Sequence, residues 1–230
     1  MRANESRLYV GFGVVAALLA GFGVLAEQVT DGDTAAFDQA VVMMFRDPAA
    51  PDVAPGPAWL AEAVRDITAL GSFSVLGILT VGVVLHLLLT GAGRTGLLVA
   101  LSVVGGTILS TGLKALFDRP RPELFDTVHV FTASFPSGHA TVSAVVYLTI
   151  GALLAERART WPARLLYLGG AVLLTVLIGV SRVYFGVHYP TDVLAGWSLG
   201  GAWALLCLAV AHLLRTRGQL QDAPPPGPAT

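Results

Sequence analysis

An all-α, polytopic membrane protein is the fold class this sequence predicts, and three observations predict it. Hydrophobic residues make up 54% of the 230-residue chain and charged residues only 13%, about half the quarter that soluble domains carry. Mean hydropathy is +0.71. Six stretches contain no Asp, Glu, Lys or Arg: Leu8–Ala26, Gly71–Gly93, Gly96–Leu113, Gly138–Ala155, Leu165–Ser181 and Val193–Leu214. Each is close to the roughly 20 apolar residues that a helix needs to cross a bilayer core about 30 Å thick. Disorder, a disulfide scaffold and a basic nucleic-acid binder are excluded by the same composition. The single cysteine, Cys207, lies in an apolar run and offers neither a disulfide partner nor a Cys-based metal site.

The first stretch follows Arg2 and Arg7, as a signal peptide would, but five spans come after it and it is read as a retained helix. Gly11, Gly13, Gly21, Gly23, Gly105 and Gly106 are read as sites of close helix approach. Residues 27–70 form a long loop in which Ala36–Phe45 and Trp59–Leu70 have the spacing of short amphipathic helices lying on the membrane surface, separated by the Pro-rich turn Pro48–Pro57. Residues 1–214 are thus expected to form a single six-helix domain. Residues 215–230 are expected to be a cytoplasmic tail, disordered from Gln219 onward.

The basic residues set the orientation. With the N-terminus inside, the inner segments hold Arg2, Arg7, Arg94, Arg157, Arg159, Arg164, Arg215 and Arg217. The first outer loop holds eight acids against Arg46 and Arg65. Both termini are therefore expected in the cytoplasm, with the chain in the plasma or inner membrane. Lys114, the only lysine, together with Arg119, Arg121 and Arg182, falls outside against the rule. A purpose other than topology must hold them there.

Those cations have company. Lys114 is expected at the end of the third span, and Arg121, seven residues on, follows Pro120 on a loop. Phe135-Pro136-Ser137-Gly138-His139 opens the fourth span, with Ser137 a candidate N-cap and the first free N–H groups forming an anion site on the helix dipole. Ser181-Arg182 closes the fifth span, and His188 precedes Pro190 at the start of the sixth, bringing Asp192, four residues on, back to the imidazole. Three cations, an anion cradle, two histidines and a carboxylate suit phosphoryl transfer. Cations neutralise the equatorial oxygens, a neutral imidazole attacks phosphorus, a protonated one serves the leaving oxygen, and the carboxylate fixes the tautomer of the attacking ring.

With Lys114…Arg121-Pro122, Pro136-Ser137-Gly138-His139 and Ser181-Arg182…His188…Asp192, the chain resembles the type 2 phosphatidic acid phosphatase superfamily, membrane lipid phosphatases related to vanadium haloperoxidases. Its signature K-x6-R-P, P-S-G-H, S-R-x5-H-x3-D is met at every fixed position, and the likeness covers roughly residues 60–214. The resemblance implies that His188 is the nucleophile, oriented by Asp192, and that His139 is the general acid that later activates water. Lys114, Arg121, Ser137, Gly138 and Arg182 would hold the phosphate, with no metal and no cofactor. The implied partner is a lipid phosphate in the bilayer: a polyprenyl pyrophosphate, phosphatidic acid, phosphatidylglycerol phosphate or a polyprenyl phosphosugar. Competing classes are a phosphotransferase of the same superfamily and a non-enzymatic transporter with a relic site. Arg119 is read as solvated or facing headgroups, and His129 as a loop residue. His86, His212 and the four tryptophans are read as packing or interfacial groups.

The orientation is testable by impermeant maleimide on intact cells, with cysteines introduced on a Cys207→Ser background. Asp33→Cys should label and Arg157→Cys should not; the reverse pattern would invert the topology.

Overall fold

The structure, a computed structural model, describes residues 2–46, 55–122 and 132–218. Among these residues it is all helix: α1 (Arg2–Asp31), α2 (Ala35–Met44), α3 (Ala58–Ala69), α4 (Phe73–Leu89), α5 (Gly93–Phe117), α6 (Gly138–Arg157), α7 (Trp161–Tyr184) and α8 (Pro190–Thr216). Five of these are long and apolar enough to cross a membrane alone. α4 passes the same test only together with α3, across a 46° bend, and the pair is the candidate for a sixth crossing. The six apolar stretches of the sequence thus coincide with α1 and α4 to α8. Residues 48–54 of the Pro-rich turn, His129 and the tail from Gln219 lie outside the described residues.

The polar punctuation sets the helix ends. Ser72 caps α4 by accepting from Val75 N–H, and Thr160 caps α7 ahead of Pro162. Pro190 opens α8, where its missing N–H costs nothing. α5 ends where Asp118 turns left-handed at φ 42°, and Pro120 prevents any restart.

α6 is the central helix. It packs on α7, α8, α5 and α4, while α1 lies along α8. Its fit against α8 depends on small residues. A Cβ on Gly196 would sit 2.8 Å from Ala140 Cβ and 2.9 Å from the Ser137 carbonyl, and one on Gly200 would sit 2.8 Å from Ala144 Cβ. Lipid tails are as apolar as the side chains, so close van der Waals approach of this kind is what holds helices together in a bilayer. Gly105 and Gly106 serve the same end against the Trp203 ring, whose indole N–H donates to the Ser102 carbonyl at 2.8 Å. The α1 glycines do not: a Cβ at Gly11, Gly13, Gly21 or Gly23 meets nothing within 4 Å.

One end of the bundle gathers the C-termini of α5 and α7 and the N-termini of α4, α6 and α8. Tyr147 on α6 donates to the Leu70 carbonyl at 2.9 Å, fixing the α3–α4 bend. Phe22 of α1 stacks on Phe117 and Phe135. At the opposite end Arg215 of α8 pairs with Glu156 of α6 at 2.7 Å. All three motifs lie at the first end and Arg157 and Arg215 at the second.

Two glycine substitutions should separate packing from helix propensity. Gly200→Ala should lower thermal stability in detergent by about 1–3 kcal/mol through overpacking. Gly170→Ala, where a Cβ meets nothing within 4 Å, should leave it unchanged or raise it by up to about 1 kcal/mol.

Candidate active site

Asp192, at the third position of α8, organises the motif end. Its Oδ2 accepts from the Tyr189 N–H at 2.8 Å, closing the first turn of α8 as a cap, and stands 3.3 Å from His188 Nδ1. The Ser134 hydroxyl donates to the same oxygen and lies 3.3 Å from His188 Nδ1. The Asp192 carbonyl accepts the Ser137 N–H at 2.9 Å, tying the start of α8 to the start of α6. The carboxylate of Asp192 thus lies against the His188 imidazole, four residues before it in the chain.

His188 is 2% exposed. With Nδ1 on a carboxylate, its Nε2 carries the lone pair, and Arg121 Nη1 lies 3.1 Å from it. Burial, with Arg121 and Arg182 adding to it against the pull of Asp192, pushes its pKa down to about 3. The ring is neutral at physiological pH, and its Nε2 lone pair carries no proton.

The cations converge from three segments. Lys114 in the last turn of α5 donates to the Ala133 carbonyl at 2.6 Å and to the Ser134 carbonyl at 3.3 Å. Arg121 donates to the carbonyls of Thr132 and Val187, each at 2.8 Å. Arg182, in the last turn of α7, donates to Thr68 Oγ1 of α3 at 3.0 Å, and its Nε is buried with no partner among the described residues. Gly138 begins α6 beside Lys114; a Cβ there would lie 3.4 Å from Lys114 Cε. Ser137 occupies the N-cap position but makes no cap hydrogen bond, and its hydroxyl is buried and unpartnered among the described residues. Buried polar atoms without partners are rare and costly. Here two of them belong to motif residues on different helices, which is what an anion-binding cradle needs. His139 stands half-buried with its ring edge-on to Phe73, centroids 6.2 Å apart. The structure thus gathers every motif residue at one end of the bundle.

Arg119 corrects the sequence reading. It is neither solvated nor aimed at headgroups. Its Nη1 donates to Asp192 Oδ1 at 2.6 Å and its Nη2 to Asp38 Oδ2 at 2.7 Å. Burial opposes its charge, but the two carboxylates outweigh that and raise its pKa. Sequence reasoning also missed Ser134, Asp38 and Thr68. No local spacing marks them, because their partners lie 58, 81 and 114 residues away. The only available signal was the acid on the apolar face of α2. His86 is exposed and His212 half-buried, both away from the motif residues.

The His188 environment generates a pH dependence. A histidine whose folded pKa is depressed leaves the unfolded chain binding more protons between that value and 6.5, so stability falls as pH falls through that window. Thermal melts in detergent should decline from about pH 6.5 towards pH 3, and His188→Asn should flatten part of the decline. An unchanged slope in that variant would mean that His188 is not buried neutral.

Comparison with known proteins agrees with this geometry. The PAP2 superfamily model matches residues 95–215. Phosphatidylglycerophosphatase B of Bacillus subtilis is 38% identical over 144 residues, covering 62% of this chain and 70% of that protein. A lipid A 1-phosphatase of Rhizobium etli is 34% identical over 119 residues, 47% of each chain. The crystal structure of a transmembrane PAP2 type phosphatidylglycerolphosphate phosphatase from Bacillus subtilis superposes with a TM-score of 0.77 at 30% identity, covering 87% of this chain and 96% of that one. With its motifs in order and its helices in the same arrangement, the chain belongs to the PAP2 superfamily.

Proposed function

We propose that the protein is a membrane lipid phosphatase that hydrolyses a lipid phosphomonoester or pyrophosphate through a phosphohistidine on His188, at the extracytoplasmic face. One observation carries the reading: His188 has Nδ1 on Asp192 and presents Nε2, as an unprotonated lone pair, beside Arg121. Nε2 forms the bond to phosphorus while the bond to the leaving oxygen breaks, and that oxygen takes a proton from His139. Water then attacks the phosphohistidine, giving its proton to His139, and phosphate leaves. Lys114, Arg121, Arg182, the Ser137 hydroxyl and the Gly138 N–H take the phosphate oxygens. They neutralise charge with side-chain cations and a helix N-terminus, so turnover should survive EDTA.

The site accepts lipids because it lies at the ends of membrane-crossing helices. The arginine asymmetry of the sequence supports a position outside the cytoplasm. Relatives acting on phosphatidylglycerol phosphate and on lipid A share a phosphate on a lipid anchor and differ in the group beside it. Phosphatidylglycerol phosphate is the first substrate to try, given the likeness over most of both chains.

The experiment is phosphate release by the purified protein in liposomes with EDTA present. The panel is phosphatidylglycerol phosphate, phosphatidic acid, undecaprenyl pyrophosphate and a polyprenyl phosphosugar. Release from at least one, inhibited by vanadate, is expected; loss with EDTA and recovery with Mg²⁺ or Zn²⁺ would overturn the mechanism. His188→Ala should abolish phosphoenzyme and turnover. His139→Ala should lose about 10²–10⁴-fold on an alkyl phosphate but far less on p-nitrophenyl phosphate, whose leaving group needs little protonation. Equal losses on both would remove His139 from the leaving-group role.

A further inference from the structure

Asp38 and Arg119 belong to none of the three motifs, yet both are built into the far side of the His188–Asp192 pair. The two oxygens of Asp192 are divided between two sets of donors. Oδ2 serves His188, Ser134 and the Tyr189 N–H, whereas Oδ1 takes Arg119. Arg119 is itself fixed on several sides. Its Nη1 also donates to Thr191 Oγ1 at 2.9 Å, its guanidinium lies 4.3 Å from the centroid of the Tyr189 ring, and its Nη2 ends on Asp38. Asp38, 0% exposed on α2, is completed by Thr191, whose N–H donates to Oδ1 at 3.1 Å and whose hydroxyl donates to Oδ2 at 2.6 Å.

We propose that Arg119, anchored by Asp38, is a positioning residue for the reaction: it fixes the plane of the Asp192 carboxylate and so the Nδ1–H tautomer and the aim of His188 Nε2. The proposal rests on the phosphohistidine reading above. A carboxylate rotates over a broad torsional well, and donors on one oxygen alone leave the other to swing. A guanidinium on Oδ1 removes that freedom. Asp38 supplies what keeps Arg119 there. Without it a buried guanidinium would share one carboxylate with His188 and stand as a further uncompensated cation beside Lys114, Arg121 and Arg182. The segment 35–44 thereby reaches the catalytic dyad through one side chain.

The test is steady-state hydrolysis of p-nitrophenyl phosphate by the full chain in detergent, followed against pH, with phosphoenzyme trapped in parallel. The charged and titratable groups around the dyad are Asp38 from α2, Lys114 from α5, Arg119 and Arg121 from the following segment, His139 from α6 and Arg182 from α7. Arg119→Gln should lower kcat by about 10–100-fold, with KM changed by less than about threefold. It should also move the acid limb of kcat/KM to higher pH, because a cation beside the dyad is gone. Asp38→Asn should lower kcat too but move that limb to lower pH, because Arg119 loses its counter-charge. Arg119→Lys should recover part of the kcat lost in Arg119→Gln. The double variant should be no slower than Arg119→Gln, since Asp38 acts through Arg119. If Arg119→Gln does not fold, Asp38→Asn should still move the limb to lower pH, while Arg119→Lys, which keeps the cation, should lower kcat with the limb in place. A raised KM at constant kcat would make Arg119 a phosphate ligand. Limbs that move together, or not at all, would make the pair merely structural. Either result overturns the proposal. Absence of phosphoenzyme in the wild-type protein would overturn the underlying phosphohistidine reading instead, whatever the limbs do.

Discussion

The buried carboxylate of Asp192 is the constraint on which the rest of the site depends. An ionised carboxyl with no solvent exposure is affordable only when donors surround it, and here the donors come from separate parts of the chain. Tyr189 N–H and His188 are local to α8, Ser134 approaches from the stretch before α6, and Arg119 from the segment after α5. Satisfying this one group brings the three motif segments together. The Ser137 N–H on the Asp192 carbonyl then sets the start of α6, and with it Gly138 and His139, against the start of α8.

Close approach of α6 and α8 is the second requirement, and it follows from the first. The carbonyl and carboxylate of one residue can serve both helix starts only if the two backbones nearly touch. Gly196 meets Ala140 and the Ser137 carbonyl within a turn of the site. A larger side chain there would separate the phosphate cradle from the dyad before it disturbed anything deeper in the bundle. Packing in the membrane and geometry at its surface are therefore one problem in this protein.

Much of this was legible in the sequence, and what was not has a common cause. Charge-free stretches mark membrane helices because the bilayer penalises every uncompensated charge, and so α1 and α4 to α8 were read nearly to their ends. His188 and Asp192 were readable because Pro190 marks a helix start between them, and a carboxylate in the first turn reaches back to the residues before the cap. Lys114, Arg121 and Arg182 stood out by lying on the wrong side for topology. Arg119 carries the same signal but occupies no motif position. Its partners, Asp38 and Asp192, are 81 and 73 residues away, and no periodicity reports a pairing of that span. Ser137 was placed at its helix start, but whether a hydroxyl caps or points elsewhere is decided by a rotamer, which composition does not encode.

Charge balance accounts for the company these residues keep. Lys114, Arg119, Arg121 and Arg182 at one end of an apolar bundle repel one another, and burial weakens the water that would screen them. Asp38 and Asp192 offset two of the four charges, leaving a surplus suited to a phosphate dianion. The division is also spatial. Arg119 holds both carboxylates, while Lys114, Arg121 and Arg182 make no ion pair among the described residues. Of the two neutralising acids, Asp192 lies within the matched segment 95–215 and Asp38 lies before it. Thr68, which receives Arg182 and Ser181, also lies before it. The groups proposed to meet the phosphate are therefore supplied by the C-terminal helices, and part of what orients and neutralises them is supplied by α2 and α3. A chain carrying the motifs without those two short helices would keep His188 and Asp192 and lose the counter-charge that lets Arg119 stay on Asp192.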